Sequence, residues 1–182
     1  FASRSGYYLA KFLSKNEAML DPLASTNAQH YYPILRKAEV FLNYAEAANE
    51  AWGPKGKDPD GICKFTAYQV IKTIRQTSGG ITDTKYLDEM AASKESFRIL
   101  IQNERRLELA FENQRYYDMR RCLLPLNEAV KGVLVTKEGD DLIYTFQKVE
   151  DRKFDGIRYY YSPLPYYECV KNPNLVNNLG WK

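Results

Sequence analysis

The stretch Ser93 to Cys122, SKESFRILIQNERRLELAFENQRYYDMRRC, decides the fold. Apolar residues recur at Phe97, Leu100/Ile101, Leu107, Ala110/Phe111 and Met119, a spacing that predicts one helix with a single buried stripe. Ser93 is placed to cap it, and Glu95 suits the positive end of the helix dipole. Arg120 and Arg121 suit the negative end, and Pro125 limits continuation.

A second stripe runs along the same stretch. Glu104, Glu108 and Glu112 are four apart, so three carboxylates share one face. Arg105, Arg115 and Asp118 interleave with them at spacings of three. A catalytic carboxylate pair is one reading, since retaining glycosidases hold two carboxyls roughly 5–5.5 Å apart. A general acid needs burial without a cation, however, and here an arginine lies within reach of each carboxylate. The sequence favours a structural network in which arginine forks hold the carboxylates against neighbouring helices. A di-metal carboxylate site would need Glu-x-x-His pairs, and the single histidine, His30, is remote in sequence. No catalytic or metal-binding residues are therefore assigned.

Working outward towards the N-terminus, PILRKAEVFLNYAEAANEAWG predicts a helix opened by Pro33 and ended by Gly53 and Pro54. Its buried stripe is expected at Ile34, Ala38, Phe41/Leu42, Ala45, Ala48 and Trp52. A second helix is expected over about Phe65 to Thr77, with Val70, Ile71 and Ile74 inward and Gly79-Gly80 as its stop. Small residues on one helix beside a short partner resemble a tetratricopeptide unit, although no second copy follows at that period. Asp83 or Thr84 could cap a short helix through about Ala92. Residues 5–14, SGYYLAKFLS, alternate as a strand or extended segment would, and Asp21 to His30 read as loop.

Towards the C-terminus, Gly132–Thr136 and Leu142–Phe146 flank Glu138-Gly139-Asp140-Asp141 and predict a β-hairpin turning at Gly139. The acidic turn lacks the alternating ligands of an EF-hand calcium loop. In the tail, YYYSPLPYYECVKNPNLVNNLGWK, the prolines predict an extended entry to a short helix from about Pro165 to Lys171, which Asn172-Pro173 ends. Trp181 is expected to anchor the tail.

Composition excludes several functions. The net charge is +3 over 182 residues, and the basic residues alternate with acids, which argues against nucleic acid as a partner. Fifteen tyrosines supply rings with hydroxyls, suited to packing and to sugar contacts alike. Cys63, Cys122 and Cys169 form no metal pattern and are an odd number, so buried thiols are expected, their disulfide state left open. No GxSxG, P-loop or Cys/His pair is present. No apolar run reaches membrane-span length. The opening FASRSGYYLA carries no methionine, signal or lipobox cysteine, so the chain is expected to be a fragment or a processed product.

Three of these stretches carry a resemblance. NERRLELAFENQRYYDMRR is similar to the ER-x-x-ELAFE-x-x-R-x-x-D-x-RR signature of the SusD/RagB family, at Glu104, Arg105, Glu108, Leu109, Ala110, Phe111, Glu112, Arg115, Asp118, Arg120 and Arg121. LRKAEVFLNYAEAANEA is similar to that family's LRYAEVLLNYAEALNE run. The tail resembles its closing Y-x-x-PIP-x-x-E-x-x-x-NP-x-L-x-QNPGW run, with Leu164, Asn177 and Leu179 as departures. The resemblance implies a mainly α fold of tetratricopeptide-like helix pairs with a small β-hairpin and an irregular C-terminal tail, residues 1–182 forming the C-terminal part of a longer protein. It further implies a non-catalytic cell-surface lipoprotein without cofactor, lipid-anchored upstream of this chain in the outer membrane. Such a protein binds nutrients, usually glycans, for a SusC-like TonB-dependent transporter. A protein-interaction scaffold docking that transporter is the alternative. The family's sugar-contacting aromatics lie mostly upstream of the matching region, so no ligand-binding residue is carried over.

Overall fold

The computed structural model describes residues 3–12, 23, 31–154 and 156–181. The elements are α1 (Lys37–Trp52), α2 (Ala67–Thr77), α3 (Lys85–Met90), α4 (Lys94–Glu108), α5 (Gln114–Arg121), β1 (Val130–Glu138), β2 (Asp141–Glu150), a 3-10 turn (Ile157–Tyr160) and α6 (Tyr166–Lys171). The fold is mainly helical with one small hairpin and an irregular tail, as expected. It comprises two compact units, Tyr31–Tyr117 and Phe1–His30 with Asp118–Lys182. The expected loop over Asp21 to His30 lies outside the described residues, apart from Leu23.

In the Tyr31–Tyr117 unit, α1 packs against both α2 and α4, and α3 against α4. Leu42, Ala45 and Ala48 of α1 meet Val70, Ile71 and Ile74 of α2 and Phe97, Leu100 and Ile101 of α4 in one core. The alanines let the helix backbones approach closely, as their spacing suggested. α2 begins two residues later than expected, at a capping box. The Thr66 hydroxyl accepts from Gln69 N–H, and the Gln69 side chain accepts from Thr66 N–H at 2.9 Å. Asp83 accepts from Lys85 N–H at the start of α3, and Ser93 accepts from Ser96 N–H at the start of α4.

Two helix boundaries differ from the sequence reading. Pro33 does not open α1: residues 33–35 precede it, and Ile34 is 94% exposed instead of buried. Arg36 is the N-cap residue, in extended conformation, and sends its side chain away from α1. The single helix expected over Ser93 to Cys122 is two helices, α4 and α5, joined by a turn at residues 109–113. Phe111 and Asn113 take positive φ there, at 64° and 61°. Leu109 is buried by the turn, while Leu107 and Phe111 of the expected apolar stripe are exposed.

In the other unit, β1 and β2 form an antiparallel hairpin whose last pair is Glu138↔Asp141. In the two-residue loop only Gly139 has positive φ, at 64°, the first-position glycine of a type II′ turn. Of the two forms expected over residues 5–14, a strand or an extended segment, no strand forms among the described residues. Instead the chain crosses beside β1, where Val133 N–H donates to Ser5 O at 2.9 Å. That crossing requires Gly132: an added Cβ would lie 2.6 Å from both Ser5 O and Val149 Cγ2. α6 lies where the tail's prolines placed it. Trp181 is an anchor, its Nε1 donating to Arg158 O and Tyr161 O at 3.2 and 2.9 Å.

Candidate functional site

The charged line of the central stretch is assembled from three helices and the segment before α1. Arg36 donates through Nε and Nη2 to the two oxygens of Glu112, both at 2.8 Å. Its Nη1 donates to Glu108 Oε1 at 3.1 Å, and Nη2 also reaches the backbone oxygen of Glu108 at 2.8 Å. That carbonyl would accept from Glu112 N–H in a continuous helix. Here Glu112 N–H donates to Leu109 O, and the guanidinium takes the carbonyl at the end of α4. The Tyr32 hydroxyl bonds Phe111 O at 3.1 Å and holds the same turn. Hydrogen bonding to Glu112 raises the Arg36 pKa above its ordinary value, against the opposing effect of burial.

Glu104 pairs with Arg75 of α2, and both are largely buried. Arg105 does not serve its neighbours along α4 alone. Its Nη1 donates to Asn43 Oδ1 of α1 at 2.6 Å, and Nε lies 4.0 Å from Glu46. Glu50 of α1 meets Arg98 of α4 in a second two-pronged pair, both bonds 2.7 Å. Asp118 accepts from Arg121 at 2.8 Å. The sequence reading foresaw a network of arginine forks but not its key cations, Arg36 and Arg75. Neither is on the helix carrying the carboxylates, and only the packing of α1, α2 and α4 brings them in. The result can hold helices and a turn in register. It offers no carboxyl pair available for proton transfer, because Glu104, Glu108 and Glu112 each face a guanidinium.

Concave surface lies elsewhere. A cleft of about 480 Å³ is lined by Pro163, Leu164, Pro165, Tyr166, Leu175 and Trp181, with Cys169 and Asn177. That volume falls in the small-ligand range. Two of its polar groups are already engaged: Asn177 Oδ1 accepts from Leu164 and Asn178 N–H, and the indole N–H is bonded to backbone. Tyr166 of this lining stands edge to face with Tyr167, and each is 75% exposed. A smaller groove on the helical unit, about 120 Å³, is lined by Phe41, Phe65, Gln69, Val70, Thr73 and Ile74. Cys63, Cys122 and Cys169 carry free thiols and are half-buried, not buried as expected. Among the described residues no group of three His, Cys, Asp or Glu side chains converges on a metal-sized space. No helix among them is long and apolar enough to cross a membrane.

The sequence profile of the SusD family matches residues 1–181. The chain belongs to the SusD family. It is 31% identical over 161 residues to SusD-like protein P2 of Formosa agariphila, a match covering 87% of this chain and 26% of that protein. A crystal structure of a SusD-like protein from Bacteroides fragilis superposes with a TM-score of 0.60 at 33% identity, covering 84% of this chain and 26% of that one. The chain thus spans about a quarter of the length of the SusD-like relatives it matches. Of the positions that resemble the family's signature, Glu104, Arg105, Glu108 and Glu112 sit in the arginine network and Leu109, Ala110 and Phe111 in the turn it holds, which gives those seven a structural role in this chain.

Proposed function

We propose that this chain is the C-terminal, scaffold-bearing part of a cell-surface nutrient-binding protein. In this reading it captures a glycan and delivers it, without catalysis, to a SusC-like TonB-dependent transporter. The protein is held to the outer membrane by a lipid anchor upstream. The observation carrying the reading is the family match along residues 1–181. The chemistry is compatible with it. The acidic stripe is engaged by arginines, and Tyr166 in the tail cleft, with Tyr167 against it, offers exposed ring faces on which a sugar can stack.

A second reading is favoured by one feature of that cleft: Asn177 Oδ1 and the Trp181 N–H are committed to the backbone, whereas sugar recognition needs free groups. In that reading the chain is a scaffold docking the transporter, and the glycan is held by other residues of a longer protein. Calorimetric titration of the chain with a panel of soluble polysaccharides separates the two. Heat released by a glycan, and lost in Tyr166→Ala and Tyr167→Ala, supports binding on this chain. Silence across the panel supports the scaffold. Glycan hydrolysis that disappears with Glu108→Gln or Glu112→Gln would overturn both.

A further inference from the structure

Another cavity, within the unit that holds the hairpin and the tail, differs from the tail cleft in what its walls still offer. It measures about 250 Å³ and is lined by Pro125, Leu126 and Asn127 from the segment before β1, and by Phe154, Gly156 and Tyr160 from the segment after β2. Backbone bonds fix both of its polar side chains. Asn127 Oδ1 accepts from Phe154 N–H at 2.7 Å, which sets the orientation of the amide. Its Nδ2 is left as a donor with no bond inside the chain among the described residues. The Tyr160 hydroxyl donates to Leu124 O at 2.9 Å and keeps its oxygen for accepting. A donor and an acceptor held beside the Phe154 ring suit a hydroxyl-bearing ring, whose hydroxyls both give and take hydrogen bonds while its C–H face packs on apolar surface. The volume lies below the range that whole small ligands fill, so it fits one ring of a longer chain.

Beside this cavity the fold holds a cation in place and leaves it unneutralised. The Phe154 ring meets Tyr159 edge to face at 5.4 Å, and the Arg158 guanidinium lies 4.9 Å from the Tyr159 ring centre and 5.8 Å from that of Trp181. Its Nη2 donates to the Tyr159 hydroxyl at 3.0 Å. The backbone of Arg158 is fixed as well. The Trp181 indole donates to its carbonyl, and a Cβ added to Gly180 would lie 2.7 Å from Arg158 Cβ, so the tail closes over this residue through a glycine. Arg36, Arg75 and Arg98 each meet a carboxylate, whereas Arg158 meets none among the described residues. A guanidinium already held by two rings loses less freedom on binding, and the rest of its planar fork is open to a two-pronged carboxylate. We infer that this part of the molecule seats an acidic glycan. One sugar ring enters the cavity against Asn127 Nδ2 and the Tyr160 hydroxyl, and Arg158 takes the carboxylate of a uronic acid residue in the same saccharide. The inference rests on the glycan-capture reading and names its substrate class: a neutral glycan gains nothing from Arg158.

Calorimetric titration of the chain with tetragalacturonate and tetramannuronate, each beside its full methyl ester, tests this, with cellotetraose and maltotetraose as neutral comparators. At least one acid should bind about tenfold or more tighter than its own ester, which keeps the rings and loses the charge. Arg158→Gln should bring that acid and its ester to within about twofold of each other, and Asn127→Ala should weaken both about threefold or more. The acid–ester comparison is made on the parent chain, so it stands even where a variant folds poorly. Acid and ester binding equally would overturn the inference, as would a preference for the acid that survives Arg158→Gln. Heat from a neutral tetramer with silence from both uronates would overturn it as well, and would leave the glycan-capture reading standing. Silence from every saccharide would remove both.

Discussion

Arg36 and Glu112 meet as a two-pronged pair, Nε to Oε2 and Nη2 to Oε1, at 2.8 Å each. The pair joins the residue that caps α1 to the turn that ends α4, with the Glu112 side chain only 6% exposed. Arg36→Ala leaves that carboxylate without its fork and frees the Glu108 carbonyl. A loss of about 3 kcal/mol is expected in urea unfolding, since the substitution removes the two-pronged cation that offsets the desolvation of a mostly buried carboxylate. Arg36→Lys keeps the charge but has no planar fork and cannot make the four bonds of the guanidinium at once, so it should recover less than half of the loss. A cost of Arg36→Ala below about half a kcal/mol would mean that the pair behaves as a solvated one.

The turn itself makes a prediction of sign. Phe111 holds φ at 64° with its ring exposed, and a bulky residue there costs on the order of 1–3 kcal/mol in backbone strain. Phe111→Gly removes that strain and should stabilise the chain by up to about 1 kcal/mol. Were residues 109–113 helical in solution, the same change would destabilise by about 1 kcal/mol, because glycine is a poor helix residue. Chemical denaturation of the two proteins side by side decides by the direction of the shift.

These two residues also show what was legible in the sequence and what was not. Helix existence and the core were readable, because Leu42, Ala45, Val70, Ile71, Phe97 and Leu100 repeat at helical spacing and pack as that spacing requires. The hairpin and its turn were readable from β-branched runs flanking Gly139. The break in the central stretch was not. LELAFENQ is a good helical sequence, and what interrupts it is a guanidinium from Arg36, 72 residues away from Glu108. Local propensity carries no record of such a bond, so the expected stripe ran on through Leu107 and Phe111 to positions that are exposed. The candidate site suffered likewise: the carboxylates were visible in line, but their partners became visible only in the packed structure. One signal was available for Arg36, a cation placed just before the first helical residue, where the helix dipole gives it no benefit.

At α2 the capping box gives a local prediction. Thr66→Ala removes the hydroxyl that accepts from Gln69 N–H and keeps only the half of the box in which the Gln69 side chain accepts from the backbone N–H of residue 66. Thr66 is itself buried, so water replaces the bond poorly. A loss of about 1 kcal/mol is expected, and Thr66→Ser should retain most of it. Thermal melts followed by far-ultraviolet circular dichroism measure both. Equal melting of the alanine and serine variants would show that the methyl group, not the cap, matters there.

The pair between Glu50 and Arg98 sets a pH dependence whose sign follows from the direction of one pKa. The Arg98 hydrogen bonds hold the Glu50 carboxyl below its ordinary value, against the smaller effect of desolvation, with Arg98 and Lys94 adding charge attraction. A carboxyl with a depressed folded-state pKa stabilises the fold most when ionised in both states. Its contribution is therefore fully present above the unfolded carboxyl value of about 4.3, and is lost as the pH falls through the lower folded value. Both side chains are about 40% exposed, so solvent screening keeps the effect below about 1 kcal/mol. Glu50→Gln should accordingly lower stability modestly at pH 7, and the gap to the parent should close as the pH is taken from 5 towards 3. Added salt at pH 7 should narrow the same gap, because the pair is partly exposed. Urea midpoints for the two proteins at each pH test this directly. A gap that stays constant from pH 7 to pH 3 would assign the effect of the substitution to packing of the side chain, with the ion pair contributing nothing.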